Sequence, residues 1–406
     1  MRYIYIYNEV SRASEYGIGT YLKQIIKNLK HLDNTILTIV NSRSNCNEFE
    51  IKEKDRYYIY NIPSPNIFTK SFDNKYYRNI AYIIMSTLPD SSCNEILFFF
   101  NYIQEYYIFK EIKNKIASVK SIFTIHYQNW CFLINGNKSL FRKIIHNKFN
   151  NVDLYKKVQS SYMEEKSMYQ LVDFVVCLSE FTKQLLIEEY GINEKKIKYI
   201  PNAVDFPKHT KTQRYYIKKS LFIQHDEFVI LFVGRLDEIK QVNIVIQTFK
   251  LFNKIYVPNS RLIIVGEGDF ALYLKECKGY WNKITFTGKL AKSELNKFYQ
   301  IADIGILLSL HEQCSYVVLE MLSYGIPIIG SDSTGLKEMI ENKNQLIKYR
   351  YKKEKAYCSI KRIADTIHQT MQQKEKIILP PKYTTSIVNK QIKNLILNCG
   401  TEKHIE

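Results

Sequence analysis

The chain contains 406 residues, of which 46% are apolar and 24% are charged. These proportions exclude a disordered or fibrous chain, and the length predicts two or three domains, because one core rarely grows beyond about 250 to 300 residues. No apolar run approaches the roughly 20 residues of a membrane-spanning helix. The first residues also lack the pattern of a secretory signal, so we expect a cytoplasmic protein.

Positive charge is concentrated towards the carboxyl end of the chain. The net charge is +18, and residues 337–406 alone carry 15 basic and 7 acidic residues. A positive field attracts nucleotide phosphates, anionic lipids and nucleic acid alike, although lysines on a solvated face would give the same count. The sequence has no platform of basic and aromatic residues for nucleic acid. We expect no nucleic-acid partner, and peripheral contact with an anionic membrane, at its inner face, stays a hypothesis.

The eight cysteines give no sign of a metal site. They are scattered without a CxxC pair, and no histidine is spaced to complete a zinc site. No Asp-x-Asp motif stands at the end of a predicted strand. We therefore expect reduced, mainly structural cysteines, no metal and no other cofactor.

Strand-length apolar runs alternate with helical periodicity through the first half of the chain. One helix, over residues 20–32, is the clearest, because its apolar side chains recur every three or four residues on one face. Such alternation predicts a mostly parallel sheet with helices on both faces. The predicted strands of this half are residues 2–7, 35–40, 57–62, 95–100, 121–125, 174–178 and 198–200.

The pattern breaks at residues 200–205, which read Ile-Pro-Asn-Ala-Val-Asp, and a second series of the same kind follows. Each half therefore reads as a Rossmann-like α/β domain, whose ligand crevice lies outside the carboxyl ends of the strands. The predicted strands of the second half are residues 228–233, 262–265, 284–287, 304–308 and 326–329, and the predicted helices are 242–253, 316–324, 360–373 and 387–397.

The most informative stretch is the strand, loop and helix within residues 303–331. Ser315 is placed to cap the helix, whose first turn offers free backbone N–H groups and the positive end of its dipole to an anion. Glu312 lies in the loop, and Glu320 lies about one turn into the helix. These two carboxylates can accept hydrogen bonds from the hydroxyl groups of a sugar and of a ribose.

Two cations follow the first strand of the second half. Arg235 comes directly after Gly234, and Lys240 lies five residues further on. A nucleotide diphosphate that departs from a sugar gains negative charge, and two cations near its oxygens stabilise that charge without a metal. Arginine supplies a planar fork and lysine a point charge, so this pair is a candidate diphosphate site.

The acids and the cations together resemble the GT-B glycosyltransferases of family 4. The mark of that family is two glutamates separated by seven residues and followed by a small-residue turn and a proline; here these are Glu312, Glu320 and residues 325–327. Residues 233–236 with Lys240 look like the family's diphosphate-binding pair. Residues 265–268 and 200–205 are similar to two further motifs of the family.

The resemblance implies a domain plan. We expect two facing Rossmann-like parallel-sheet domains with an interdomain cleft, an acceptor-side domain over residues 1–203 and a nucleotide-sugar-binding domain over residues 204–380. A helix within residues 381–406 is expected to pack back on the first domain.

The resemblance also implies site residues in the first half. Gly17 and Gly19, which follow the loop of residues 8–16, look like the glycine loop that closes on the donor pyrophosphate, and His126 corresponds to a histidine near the donor sugar. Tyr127 stands where the family often has aspartate. The expected catalytic residues are His126, Glu312, Arg235 and Lys240, and the expected donor-binding residues are Gly17, Gly19, Gly234, Arg235, Lys240, Gln313, Cys314, Ser315 and Glu320.

The function implied is that of a retaining, metal-independent glycosyltransferase. It would move a hexosyl group from a nucleotide diphosphate sugar, its donor substrate, to an acceptor that the sequence does not identify: a glycan, a lipid-linked glycan, a peptide or a small molecule. Two alternatives stay open, a sugar-nucleotide epimerase of the same fold and a non-catalytic subunit that keeps the fold to hold a partner.

Overall fold

The structure is a computed structural model that describes residues 1–10, 17–65, 70–146, 152–207, 212–373 and 376–399. The chain divides into two compact units. The first unit comprises Met1–Asn129, Phe149–Pro201 and Ser386–Glu406, and the second comprises Trp130–Lys148 and Asn202–Thr385. Residues 130–148, which the sequence groups with the first half, thus cluster with the second.

The first unit is built on an eight-stranded sheet in the order β3-β4-β2-β1-β5-β6-β7-β8. All of its strand pairs are parallel except β3 with β4. The strands are β1 (Arg2–Glu9), β2 (Thr35–Ser44), β3 (Glu50–Lys54), β4 (Tyr57–Pro63), β5 (Glu95–Phe100), β6 (Lys120–Ile125), β7 (Phe174–Cys177) and β8 (Ile197–Tyr199).

Helices connect these strands, as parallel pairing requires. Up to residue 201 the chain forms α1 (Gly17–Leu29), α2 (Lys70–Met85), α3 (Tyr106–Lys115), α4 (Asn129–Leu133), α5 (Lys138–His146), α6 (Asp153–Leu171) and α7 (Glu180–Glu188). The chain leaves β1 for β2 on one side and later enters β5 on the other side of β1. The carboxyl ends of β1 and β5 therefore border the topological switch point, where open α/β sheets bind ligands.

The second unit contains a fully parallel sheet of six strands in the order β11-β10-β9-β12-β13-β14. Its switch point lies between β9 and β12. The strands are β9 (Phe228–Val233), β10 (Ser260–Val265), β11 (Ile284–Gly288), β12 (Ile304–Leu307), β13 (Ile328–Ser331) and β14 (Leu346–Ile347), and β15 (Arg350–Lys352) pairs with β16 (Lys355–Tyr357) in a separate antiparallel hairpin.

The helices of this part of the chain enclose an apolar core between α9, α14 and the sheet. Val245 and Phe249 of α9 and Ile363 of α14 pack in this core with Ile230 and Ile264 of the central strands. The helices are α8 (Thr212–Ser220), α9 (Val242–Ile255), α10 (Ala271–Leu274), α11 (Lys292–Ile301), α12 (Tyr316–Ser323), α13 (Leu336–Met339) and α14 (Ile360–Gln372), and α15 (Thr385–Asn398) follows at the end of the chain.

The predicted α/β class with two Rossmann-like parallel-sheet domains is confirmed. Some boundaries differ: α1 starts three residues earlier than predicted, at Gly17, and β13 starts two residues later, at Ile328, because Ile326 and Pro327 belong to the turn. The antiparallel edge strand β3 was not predicted. Within the described residues no helix has the length and hydrophobicity that crossing a membrane requires.

Candidate active site

The candidate site of the second unit is built at the switch point of its sheet. The loop after β9 carries Arg235 and Lys240, and the loop after β12 carries Glu312. These two loops are joined by their backbones, since the N–H of Leu310 donates to the carbonyl of Ile239 over 2.8 Å. The contact places Lys240 and Glu312, which are 72 positions apart in sequence, at the same edge of the sheet.

Two glycines allow the loops after β9 and β10 to run side by side. The N–H of Gly234 donates to the carbonyl of Val265 over 2.9 Å. Gly266 has φ +149°, and a Cβ atom built on it would lie 1.7 Å from the carbonyl oxygen of Gly234. No other residue fits at position 266, so this close approach fixes the backbone just before Arg235.

Lys240 and Glu312 form an ion pair, in which Nζ of the lysine donates to Oε1 of the glutamate. Only 18% of the lysine side chain and 13% of the glutamate side chain are exposed. Burial opposes ionisation of Glu312, but the lysine charge and its hydrogen bond outweigh that effect and hold the pKa of this carboxyl below its usual value. The acid is therefore a carboxylate near neutral pH.

A neighbouring loop holds the backbone of Glu312 in place. The hydroxyl of Thr334 donates to the carbonyl of Glu312 and accepts from its N–H over 3.0 Å, and the N–H of Gly335 donates to the same carbonyl over 2.8 Å. His311 lies beside this clamp, and burial lowers its pKa to about 4. The carboxylate thus stands on a rigid support, next to a neutral imidazole.

Gln313, Cys314 and Ser315 lead into α12 and are all buried. The carbonyl of Cys314 accepts from Nδ2 of Asn202 over 2.6 Å, and burial raises the pKa of its thiol to about 12. The prediction that Ser315 caps the helix is wrong in part. Ser315 occupies the N-cap position, but its side chain makes no capping hydrogen bond. The first backbone N–H groups of α12 therefore depend on acceptors other than this hydroxyl.

Both carboxylate oxygens of Glu320 have partners. The hydroxyl of Tyr299 donates to Oε2 over 2.7 Å, and Nζ of Lys292 pairs with Oε1. Burial, and then the charge of Glu320, raise the pKa of Tyr299 well above its usual value. Tyr299 is buried, whereas 57% of the Lys292 side chain is exposed, so Lys292 is the partner that an incoming ligand can displace.

Arg235 does not contact the pair formed by Lys240 and Glu312 through any hydrogen bond in the described structure. Its guanidinium instead lies 3.1 Å from Oδ2 of Asp237, and about a third of each side chain is exposed. A partly exposed ion pair of this kind is weak. The fork of Arg235 is therefore free to turn towards a stronger anion.

The first unit has its own cluster at the carboxyl ends of β1, β5 and β6. Nε2 of His126 lies 3.0 Å from Oδ1 of Asn101, whose Nδ2 donates to the carbonyl of Tyr7 over 2.9 Å. Gly17 and Gly19 open α1 instead of forming a loop before it, and residues 11–16 of the predicted glycine loop lie outside the described residues.

Several partners of the site were not found from the sequence, because each contact spans a long sequence separation. Thr334, Tyr299 and Lys292 are the clearest examples. The segment Trp130–Lys148 is another: the backbone of Gly136 approaches the carbonyl of Leu310 so closely that a Cβ atom would lie 2.3 Å from it. In the sequence, the Asn-Gly pair at residues 135–136 was the only feature that indicated a turn here.

No group of three or more His, Cys, Asp or Glu side chains suited to a metal ion occurs in the described part of the chain. Among the described residues, the positively charged side chains of the candidate site include Arg235, Lys240 and Lys292, all in the second unit.

Two Rossmann-like sheets in one chain, with paired cations and acids at the switch point of the second, define the GT-B class of protein. A family model described as Glycosyltransferase Family 4 matches residues 103–207, and another, described as Glycosyl transferases group 1, matches residues 214–377. The chain belongs to the GT-B glycosyltransferases of this family 4, group 1 type, and the predicted resemblance is confirmed.

Curated relatives agree with this assignment. An uncharacterized glycosyltransferase of Methanocaldococcus jannaschii is 30% identical over 188 residues, which are 44% of this chain and 47% of that protein. An alpha-monoglucosyldiacylglycerol synthase of Acholeplasma laidlawii is 28% identical over 227 residues, or 53% of each chain. The chain thus matches about half the length of these curated relatives.

Among solved structures, the fold is similar to that of the Anabaena protein HepE in complex with UDP and glucose. The TM-score is 0.68 at 14% identity, and the likeness covers 97% of this chain and 99% of that one. At this identity the comparison supports the fold alone.

Proposed function

We propose that this protein is a retaining, metal-independent glycosyltransferase that moves a hexosyl group from a nucleotide diphosphate sugar to an acceptor. The observation that carries the proposal is the buried pair of Lys240 and Glu312 at the switch point, with Arg235 on the same loop as Lys240. These three charged groups lie on the loops that follow β9 and β12, where α/β sheets bind ligands. The arrangement suits a diphosphate and a sugar bound side by side.

In this proposal each group has one task. Arg235 and Lys240 bind the diphosphate, and the backbone N–H groups at the start of α12 face its phosphates. Glu312 accepts hydrogen bonds from hydroxyls of the donor sugar. Glu320 binds the ribose, whose hydroxyls replace Lys292 at Oε1 while Tyr299 keeps Oε2.

The chemical step breaks the bond between C1 of the sugar and the diphosphate oxygen. The acceptor oxygen bonds to C1 from the same face, and its proton passes to the departing phosphate, whose growing charge Arg235 and Lys240 stabilise. The configuration at C1 is therefore retained. Proton NMR of the product during the first turnovers tests this, because an inverted anomeric signal would contradict the mechanism.

A thermal-shift screen of nucleoside diphosphates and their sugars tests the donor site. UDP is the first probe, since HepE was solved with UDP and glucose. A ligand at 100 times its dissociation constant stabilises the folded state by about 2.7 kcal/mol. Glu320→Gln should weaken binding by about 1.5 to 3 kcal/mol, the scale of a hydrogen bond to a charged group. Glu294→Gln, a change at an exposed acid of α11, is the control.

Turnover separates a catalytic role of the cations from ground-state binding. Because the diphosphate charge grows in the transition state, Arg235→Ala should lower kcat more than it raises the donor KM. Normal kcat with poor donor binding would leave Arg235 as a binding residue only. Activity that disappears with a chelator and returns with a divalent cation would refute metal independence.

The products distinguish the two alternatives. An epimerase would convert the donor to an epimeric nucleotide sugar without a separate acceptor, whereas a glycosyltransferase releases the nucleoside diphosphate only as sugar is transferred. A non-catalytic subunit would bind the nucleotide and release nothing with any acceptor offered. Retention of Arg235, Lys240, Glu312 and Glu320 in one chain supports the transferase.

We also propose that the enzyme acts at the cytoplasmic face of an anionic membrane, on a lipid-borne acceptor. One relative is named as a diacylglycerol glucosyl synthase. In the second unit, Nδ2 of Asn135 donates to the carbonyl of Glu354 over 3.0 Å, and Nδ2 of Asn137 donates to that of Lys353 over 2.9 Å. These bonds join the turn before α5 to the β15–β16 hairpin. The exposed cations of α5 and of the hairpin, here called the basic surface, are Lys143, Arg350, Lys352, Lys353 and Lys355.

Sedimentation with vesicles of anionic phospholipid tests this contact. Each lysine near such a surface contributes about 1 kcal/mol, so replacing Lys352, Lys353 and Lys355 with Glu should weaken binding about a hundredfold or more. The same change at three other exposed lysines, Lys54, Lys195 and Lys254, alters the net charge equally and should have a much smaller effect. No binding at low salt would end the proposal.

A further inference from the structure

The side chain of Asn101 links the ends of three strands in the first unit. It follows β5, its Nδ2 donates to the carbonyl of Tyr7 at the end of β1, and its Oδ1 lies 3.0 Å from Nε2 of His126, directly after β6. Asn101 is almost fully buried. Its amide group is therefore the only connection between His126 and the switch point of this sheet that the described hydrogen bonds provide.

The hydrogen bonds determine the orientation of this side-chain amide. The carbonyl of Tyr7 can only accept, so the atom facing it must be the NH₂ group. Oδ1 then faces His126, and because Oδ1 can only accept, Nε2 of the imidazole must carry a proton. The orientation of a single buried amide thus sets the protonation of the ring.

Glu105 fixes the backbone on which Asn101 stands. Its Oε2 accepts from the N–H of Asn101 over 2.7 Å and from the N–H of Tyr102 over 3.0 Å. The ring of His126 is held on another side by Tyr21 of α1, with ring centroids 4.7 Å apart at an interplanar angle of 75°. The histidine therefore has a fixed place as well as a fixed tautomer.

We infer that Asn101 is a positioning residue that holds His126 as the neutral Nε2–H tautomer, which leaves Nδ1 to accept a hydrogen bond from a substrate hydroxyl. The inference rests on the proposed function for the role of His126, but the tautomer itself does not depend on it. A ring in the other tautomer would turn the lone pair of Nε2 towards Oδ1 of Asn101, and two hydrogen-bond acceptors facing each other repel.

The surroundings keep the ring uncharged. Burial lowers the pKa of His126 to about 3, so the neutral form persists throughout the physiological range. The titratable groups around it are Tyr21 from α1, Tyr7 and Glu9 from β1, Glu105 beyond Asn101, Tyr127 on its own loop, and Glu165 of α6. Glu105 contacts the imidazole only through Asn101.

Nitrogen-15 NMR of histidine-labelled protein tests the tautomer directly, with His126→Gln identifying the resonance. The expected result for the wild type at pH 7 is a protonated Nε2 and an unprotonated Nδ1. Asn101→Leu should remove this preference. Asn61→Leu makes the same change in the same sheet, three strands away, and should leave the signal as it is. A wild-type ring that is charged, or protonated on Nδ1, would overturn the inference.

Kinetics supply a second readout that a purely structural role would not move. In Asn101→Asp the new carboxylate still accepts from Nε2, but it raises the pKa of His126, and the charged ring has no acceptor left on Nδ1. Turnover of Asn101→Asp should therefore fall as the pH is lowered, where wild-type turnover stays level. Asn101→Leu should lose about tenfold to a hundredfold in kcat at every pH, the scale of a misplaced group.

The two experiments distinguish a failure of the inference from a failure of the proposed function. The expected tautomer without any glycosyl transfer would refute the proposed function and leave the role of Asn101 standing. Transfer activity with the same pH profile in the wild type and in Asn101→Asp would refute the positioning role and leave the function standing.

Discussion

The ion pair of Lys240 and Glu312 joins two loops of the candidate site, and it also bears on the stability of the fold. Its two side chains are largely buried, and removing one partner of such a pair leaves an uncompensated charge. We expect Lys240→Met to lower the free energy of unfolding by about 3 kcal/mol, the lower end of what breaking a buried pair costs. Denaturant titration of the variant measures this change.

The double variant Lys240→Met, Glu312→Gln separates the two roles. It leaves no buried charge, so it should recover most of the lost stability while glycosyl transfer stays abolished. The pKa of Glu312 is lowered in the folded state, so its contribution to stability is present near neutral pH and disappears as the pH falls below about 4.5. A double variant no more stable than Lys240→Met would show that the pair is not what holds these loops.

Glu105 is a buried acid whose titration changes the stability of the fold in the direction opposite to that of Glu312. Burial raises its pKa to about 8, although two backbone N–H groups oppose the shift. The folded state therefore keeps a proton that the unfolded chain loses above about pH 4.5, and stability falls as the pH rises from 5 to 8. Glu105→Gln should flatten this part of the stability profile.

Urea unfolding at several pH values measures the slope. Each unit of difference in pKa corresponds to about 1.4 kcal/mol, so the effect of Glu105 is expected to reach a few kcal/mol between pH 5 and 8. Glu53→Gln, at an exposed position of β3, is the control and should leave the slope unchanged. An unaltered slope in Glu105→Gln would show that this acid is already ionised at pH 5.

At the scale of elements, the crossing of the loops after β9 and β10 depends on one glycine. A Cβ atom at Gly266 would lie 1.7 Å from the carbonyl oxygen of Gly234, whereas Gly279, also at positive φ, has no atom within 4 Å of such a Cβ. Gly279→Ala should therefore cost only about 1 kcal/mol of backbone strain. Gly266→Ala should cost more and should also displace Arg235.

Nucleotide affinity distinguishes these two variants. We expect calorimetric titration with UDP to show weakened binding for Gly266→Ala and normal binding for Gly279→Ala. Equal effects of the two changes would mean that positive φ alone, and not the close approach of the backbones, is what position 266 requires.

The elements that the sequence predicts best are those whose burial leaves a simple pattern. Strand β9 is apolar throughout and β5 is apolar after its first residue, Glu95. Both were predicted with their observed bounds, because both faces of a central parallel strand are covered. By contrast, β3 reads Glu-Ile-Lys-Glu-Lys and is mostly exposed. Its pairing with β4 comes from tertiary context, because the residues of this polar edge strand show no apolar pattern that would predict it.

The candidate site was predictable where single residues carry the chemistry and not where pairs do. Glu312 and Lys240 were each identified from their own segment, yet no pattern indicated that they touch, since 72 positions separate them. The same holds for Tyr299 and Lys292 at Glu320. The tautomer of His126 could not be foreseen at all, because it depends on an amide that another strand orients.

At the scale of the whole molecule, the end of the chain belongs to the unit in which the chain begins. In α15, Val388, Ile392 and Ile396 are buried, and the carbonyl of Asn389 accepts from Nδ2 of Asn28 in α1 over 3.1 Å. We expect Ile392→Ala to destabilise the first unit by about 2 to 5 kcal/mol. Ile387→Ala, at an exposed position of the same helix, should have little effect.

Hydrogen exchange locates this effect. Exchange should accelerate in α1 and β1 of Ile392→Ala, while the second unit keeps its protection and its affinity for UDP. Loss of protection in both units together would show that they unfold as one cooperative body.

The segment Trp130–Lys148 determines how the chain can be divided into fragments. The chain passes from one unit to the other after Asn129, Lys148, Pro201 and Thr385, so no single cut yields either unit whole. A fragment that starts at Asn202 would expose the carbonyl of Leu310, against which Gly136 packs, and would lack the amides of Asn135 and Asn137 that hold the hairpin. A minimal fragment of the second unit therefore needs residues 130–148 spliced ahead of residue 202.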